Sequence, residues 1–317
     1  MSKSKAALAV SQKTKSTKSA PTSKKSKPDS PKWRPNPESP LGKVIAVCNQ
    51  KGGCGKTTTV VNLAACLAAR GFQTLVVDLD SQCNATSSLG INASELEETI
   101  FDVLVDPKNV KAEDVILETS SPGLHVAPAS VQLSEFESRV ASEIGRENRL
   151  KKALLPVVHL YDFVLIDTPP SLGLLSINAL NFAKEIHIAM QAHPFAFDGL
   201  QLLVSTIEAI KEELNPTLHV TGIIVTMYDN RTKISKEIVE KIEAMPHLKA
   251  AIYKNVIRQN VKLTEASKER KAIIDYDPQS SGSQDYQSLC EEFLERCFLS
   301  LSEIKVKPTE VTPEINP

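Results

Sequence analysis

Two lysines bracket a glycine-rich turn in the stretch NQKGGCGKTTTVVNLAACLAARG, residues 49–71. Lys56 and Thr57 close that turn as the Lys-Thr pair of a phosphate-binding loop does. The lysine reaches the β- and γ-phosphates and the hydroxyl ligates Mg²⁺. Gly52, Gly53 and Gly55 are read as positions of positive φ that turn successive N–H groups toward phosphate oxygens. A helix opening near Thr57 adds its positive dipole end at the same spot. The strict pattern G-x-x-x-x-G-K-[ST] fails at its first glycine, where Gln50 stands, and a broken glycine motif also suits a plain tight turn. Lys51, at the front of the loop, has no role in the strict pattern.

Carboxylates elsewhere in the chain make the phosphate reading stronger. The apolar run YDFVLIDTPP (161–170) carries Asp167 at its end, the position from which a strand-borne aspartate holds Mg²⁺ through water. The run QTLVVDLD (73–80) ends in Asp78 and Asp80. Alternation along a strand puts these two on one face.

These side chains must be positioned by strands that end together. Runs at 43–50, 73–80, 124–130, 161–170, 185–192 and 219–228 are nearly continuous in Val, Ile and Leu, and AIYKNVI (251–257) is a weaker seventh. Continuous apolar strands are covered on both faces. Helical patterns at 58–70 and 199–214 alternate with them, which predicts a doubly wound, mostly parallel α/β sheet of about seven or eight strands. In such a sheet the strand C-termini open onto one ligand-binding edge.

Composition divides the chain unevenly. Residues 1–40 hold ten Lys and Arg against two Asp and Glu, while the whole chain of 317 residues is −1, so a basic tail precedes an acidic body. The tail is Ser-, Lys- and Pro-rich and is expected to be disordered. Residues 41–300 are expected to form the P-loop domain, and 301–317 a frayed end. No apolar run approaches the ~18–20 residues that span a bilayer, and no signal-peptide core opens the chain, so a soluble cytoplasmic protein is expected. The six cysteines form no C-x-x-C pair and read as reduced thiols. Cys54, inside the loop, suggests redox sensitivity or a buried inert thiol, with the inert state expected.

KGGCGKTT resembles the deviant Walker A motif of the ParA/MinD family of ATPases, whose signature is the early lysine. The resemblance runs through most of residues 43–297 and is nearest to chromosomal ParA proteins of Soj type. DLDSQCNATSSLGI, YDFVLIDTPPSLGLLSINAL, GIIVTMYDNRTKIS and VIRQNVKLTEAS match further blocks of that family. It implies a homodimer formed with ATP, in which Lys51 crosses to the partner's phosphates. ATP and Mg²⁺ are implied as cofactors, with Lys51, Gly52, Gly53, Cys54, Gly55, Lys56, Thr57 and Thr58 around the phosphates and Asn260 beside the adenine. Thr57 and Asp167 are implied at the metal, and Lys51, Lys56 and Asp80 in catalysis, Asp80 positioning the attacking water. Asp78 is expected nearer Mg²⁺ or on a structural partner. Non-specific DNA, a ParB-like activator and a nucleoid-associated location complete the implied switch, with Arg231 and Lys233 as candidate DNA contacts. No stable membrane association is implied.

The sequence also departs from that pattern. Ser81 and Cys83 replace Pro and Gly, and Arg258 and Gln259 stand in the segment that carries Pro and Arg before the adenine-side asparagine. Glu208 stands where relatives carry arginine. The basic tail compensates as a cationic arm on DNA, or serves solubility, or acts as a transit peptide. A MinD-like membrane or protein-cargo positioning role is the alternative function. MinD-type chains end in a basic amphipathic helix, whereas DYQSLCEEFLERCFLSLSEIK is acidic on its polar side. An iron–sulfur reductase is excluded by the lack of matching cluster cysteines. A metabolic ligase sharing the loop is disfavoured by the partition-specific blocks.

Overall fold

The computed structural model describes residues 42–305, apart from 194, 195 and 247. The basic tail expected over 1–40 lies outside these residues, as does the end from 306 on.

Seven strands form one sheet: β1 (Lys43–Cys48), β2 (Thr74–Asp78), β3 (Leu117–Glu118), β4 (Leu124–Ala127), β5 (Phe163–Asp167), β6 (Glu185–Gln191) and β7 (His219–Thr226). Their order is β3-β4-β2-β5-β1-β6-β7, parallel throughout except for β3, which pairs antiparallel with β4. The longer helices are α1 (Lys56–Ala69), α2 (Leu174–Phe182), α3 (Ala196–Glu213), α4 (Lys233–Glu243), α5 (Val261–Lys268) and α6 (Ser281–Lys305). Every residue of β2 and β5 is buried, as the continuous apolar runs require of strands covered on both faces.

Register brings the chemistry to one edge. Val47 of β1 pairs with Asp167 of β5, and Asp167 pairs with Asp78 of β2. Three neighbouring strands, β2, β5 and β1, therefore end side by side, and the glycine loop leaves the end of β1.

Three sequence expectations need correction. Residues 251–257 form no strand, touching β7 only through isolated bridges at Ile223–Ile252 and Tyr228–Arg258. Backbone bonds to Ile223, Val225 and Tyr228 hold part of the segment, and side chains of α6 hold much of the rest. Arg296 donates to the carbonyls of Ala251 and Ile252, and Glu292 accepts from the N–H groups of Lys254 and Asn255. A buried apolar run has the same composition in either setting. Gly52 does not take positive φ, whereas Gly53 and Gly55 do, at 70° and 89°. Lastly, α6 continues to Lys305, past the boundary placed at 300.

Candidate functional site: a phosphate loop and an adjoining cavity

At its N-terminus, α1 begins directly from the loop, with Gly55 in the left-handed region. A Cβ at Gly55 would stand 3.3 Å from the Thr226 methyl, so the position is restricted by both conformation and space. Thr226 ties the loop to β7 by donating its hydroxyl to the Cys54 carbonyl at 2.7 Å. At the start of the loop, Asn49 Nδ2 donates to the Ala189 carbonyl on β6 at 2.7 Å, and Asn49 Oδ1 accepts the Lys51 N–H at 3.0 Å. The loop is thus pinned between two strand ends.

The two lysines differ in burial. Lys56 is 6% exposed and its Nζ donates to the Lys51 carbonyl at 3.3 Å, folding the ammonium back over the loop. Lys51 itself is exposed. Their sequence spacing is the same in any loop, but only one side chain points inward.

Thr57 Oγ1 donates to Asp167 Oδ2 at 2.7 Å, and the other oxygen, Asp167 Oδ1, is buried without a protein partner. Burial, then the neighbouring Asp78, raises the Asp167 carboxyl well above the usual range. A buried carboxylate oxygen aimed beside a threonine hydroxyl fits a hard divalent cation whose remaining ligands are phosphate and water. No group of three or more His, Cys, Asp or Glu is arranged around a metal among the described residues.

Asp78 serves structure. Its Oδ2 accepts from both the N–H and the hydroxyl of Thr86, at 2.8 and 2.7 Å, and its Oδ1 accepts the Asp80 N–H at 3.1 Å. Burial pushes its carboxyl up to about 6 against these bonds. Asp80, 9% exposed, accepts the Gln82 N–H and lines a cleft of about 450 Å³ with Gly52 through Thr58.

A second cavity, of about 380 Å³, adjoins it, the two sharing Gly55, Thr58, Met227, Leu263 and Ser267. Residues 257–261 line it, and Asn260 is among them. Asn260 also caps α5 through the Lys262 N–H and donates to Ser281 Oγ at 2.7 Å. Met227, at φ 51°, and Tyr286, whose hydroxyl lies 3.3 Å from Thr59 Oγ1, were not singled out from the sequence. No local pattern marks either of them.

Cys54 is buried, and burial raises its thiol, outweighing Lys56. It is the inert state of the two readings. Arg231 is 85% exposed and is paired with Asp229 at 2.8 Å, which partly neutralises it. Lys233 opens α4 and is exposed. No helix of the described residues is long and apolar enough to cross a membrane.

Comparisons with known proteins agree with this geometry. A family model described as an AAA domain matches residues 42–220. The sporulation initiation inhibitor protein Soj of Bacillus subtilis is 44% identical over 252 residues, covering 80% of this chain and 98% of that one. The chromosome partitioning protein ParA of Myxococcus xanthus is 39% identical, covering 81% and 89%. A crystal structure of cobyrinic acid a,c-diamide synthase from Mycobacterium smegmatis with bound ADP and magnesium superposes with TM-score 0.70 at 29% identity, over 86% of this chain and 99% of that one. With its early lysine, its paired loop and strand-end aspartates and these relatives, the chain belongs to the ParA/MinD family of P-loop ATPases, within the Soj/ParA branch.

Proposed function

We propose that this chain is a partition switch that binds ATP and Mg²⁺, pairs with a second copy and then holds non-specific DNA. The observation that carries it is the opposite placement of the two loop lysines. Lys56 is folded back over its own loop, while Lys51 is exposed to solvent, next in sequence to Gly52 of the 450 Å³ cleft. A lysine turned outward beside a phosphate site suits a contact made on a partner's nucleotide. Such a contact makes hydrolysis depend on assembly, as an arginine finger does.

In this reading Gly52 through Thr58 wrap the phosphates with backbone N–H groups, and Lys56 neutralises them. Thr57 and Asp167 hold Mg²⁺, which supplies charge neutralisation at the transferred phosphoryl. Asp80 orients the attacking water from the cleft wall. Residues 257–260, with Asn260, form the base side. Turnover is slow in the isolated subunit and rises with a ParB-like activator, in the cytoplasm on the nucleoid.

DNA contacts come from exposed cations, with Lys233 stronger than the Asp229-paired Arg231. The basic residues of the segment 1–40 add phosphate contacts in the same role, and removing them should weaken binding and flatten its salt dependence.

The test is co-sedimentation of the full chain with DNA in ATP, ADP and no nucleotide across a salt series. Binding that requires ATP and weakens with salt is expected. Binding indifferent to nucleotide would leave only a basic tail acting alone. Absence of binding would favour a positioning role on membrane or protein cargo.

A further inference from the structure

One face of α6 carries a row of polar side chains that meets the base-side segment. Ser281, Asp285 and Glu292 share that face by helical spacing. Ser281 Oγ accepts from Asn260 Nδ2 at 2.7 Å. Glu292 accepts from Lys254 and Asn255 N–H at 3.0 Å each and from Asn255 Nδ2 at 2.8 Å. Between them, Asp285 Oδ2 accepts the Arg258 N–H at 2.9 Å, and Oδ1 accepts from Arg258 Nη2 at 2.6 Å and Nε at 3.0 Å. Arg258 is the residue at which the family resemblance leads one to expect a stiffening proline.

The row reaches the phosphate half as well. Tyr286, next to Asp285, lines the base-side cavity and meets Thr59 of α1 at 3.3 Å. The backbone from Ile257 to Val261 forms one wall of that cavity. Holding that wall leaves the cavity formed before any ligand arrives, so less ordering entropy opposes binding.

We infer that the Arg258–Asp285 pair is a positioning device that holds the base-side wall in place of proline, and so sets affinity for the nucleoside part of ATP. This rests on the ATP-binding reading above and deepens it. Asp285 is buried and Arg258 half-exposed, so the pair is charge-assisted, and Asp285 makes bidentate contact with the guanidinium. Neither side chain is asked to touch the phosphates. The pair should therefore act on the base half alone.

The experiment titrates wild type, Asp285→Asn, Asp285→Glu and Arg258→Lys with Mg-ATP and with inorganic tripolyphosphate, and measures kcat and KM for ATP. Asp285→Asn should weaken ATP by about five- to tenfold, since an ordered pair is broken. Tripolyphosphate affinity and kcat should hold. Asp285→Glu should recover part of the loss, and Arg258→Lys should lie between. If Asp285→Asn fails to fold, Arg258→Lys, altered at a half-exposed side chain, carries the same comparison. Equal weakening of ATP and tripolyphosphate, or kcat falling together with affinity, would mean a merely structural pair and overturn the inference. Unchanged ATP affinity in folded variants would overturn it too. Wild type that binds no ATP would remove the proposed function itself, which is a separate and recognisable failure.

Discussion

The two halves of the cleft are built by opposite means. On the phosphate side, residues 49–58 are contiguous, and backbone conformation does most of the work. Two positive-φ glycines, a helix start and one lysine folded over its own loop suffice. On the base side, residues 251–260 keep a few backbone bonds to β7 and Tyr228 and are otherwise held by side chains of α6, 21 to 45 positions later in the sequence. The first half is a local motif, and the second is a tertiary assembly.

This difference can be broken experimentally, and the largest effect belongs to the phosphate side. Lys56→Ala should reduce kcat/KM for ATP by about a hundredfold or more, because a preorganised cation facing the transferred group is lost. Its melting temperature should stay near wild type, as the ammonium bonds only to one carbonyl. Steady-state ATPase assays beside a thermal melt check both.

On the base side the order reverses, with stability suffering more than chemistry. Glu292→Gln removes one acceptor from a carboxylate that serves two backbone N–H groups and Arg296. Leaving a buried donor unpaired costs about 1–3 kcal/mol, which urea unfolding would measure. Gly55→Ala sharpens the comparison from the other side. It forces a side chain into φ +89° against the Thr226 methyl, at about 1–2 kcal/mol, and also distorts the phosphate cradle. Both stability and ATP binding should fall in that variant, whereas Glu292→Gln should leave tripolyphosphate binding intact.

Smallest near neutral pH, though it grows in acid, is a pH dependence beneath the base-side segment. His187 is fully buried beside Tyr253 and Phe293, and burial pushes its pKa down to about 3. A Cβ on Gly222 would collide with its ring and that of Tyr253, so the site is packed tightly around the neutral imidazole. The folded pKa lies below the unfolded value, so this contribution is complete above about pH 6.5 and is lost as pH falls toward 3. The slope approaches ~1.4 kcal/mol per pH unit. Urea unfolding at a series of pH values should show it in wild type and a shallower slope in His187→Phe.

How legible the molecule is from its residues follows the same division. The strands that carry Asp78 and Asp167 are readable because burial on both faces writes a continuous apolar run. The P-loop is readable because its geometry demands glycine, lysine and threonine at fixed offsets. Residues 251–257 mislead, since a segment buried against a helix shows the same apolar run as a strand. β3 is only Leu117–Glu118 and leaves no pattern. The acidic face of α6 reads as solvated, yet Asp285 and Glu292 are turned inward and hold backbone, while Glu291 and Glu295 stay exposed. No spacing rule separates an aspartate that pins a loop from one that faces water. Asp78 is the same case at the strand edge, where Thr86 takes it as a structural partner.

The most direct test of the account is the outward lysine. Sedimentation velocity of wild type and Lys51→Ala with saturating Mg-ATP, beside ATP binding by each, separates binding from pairing. The account predicts that both bind ATP, that wild type pairs only with ATP, and that Lys51→Ala stays single and loses hydrolysis. A Lys51→Ala protein that pairs and hydrolyses like wild type would contradict it, as would a wild type that remains single with ATP bound.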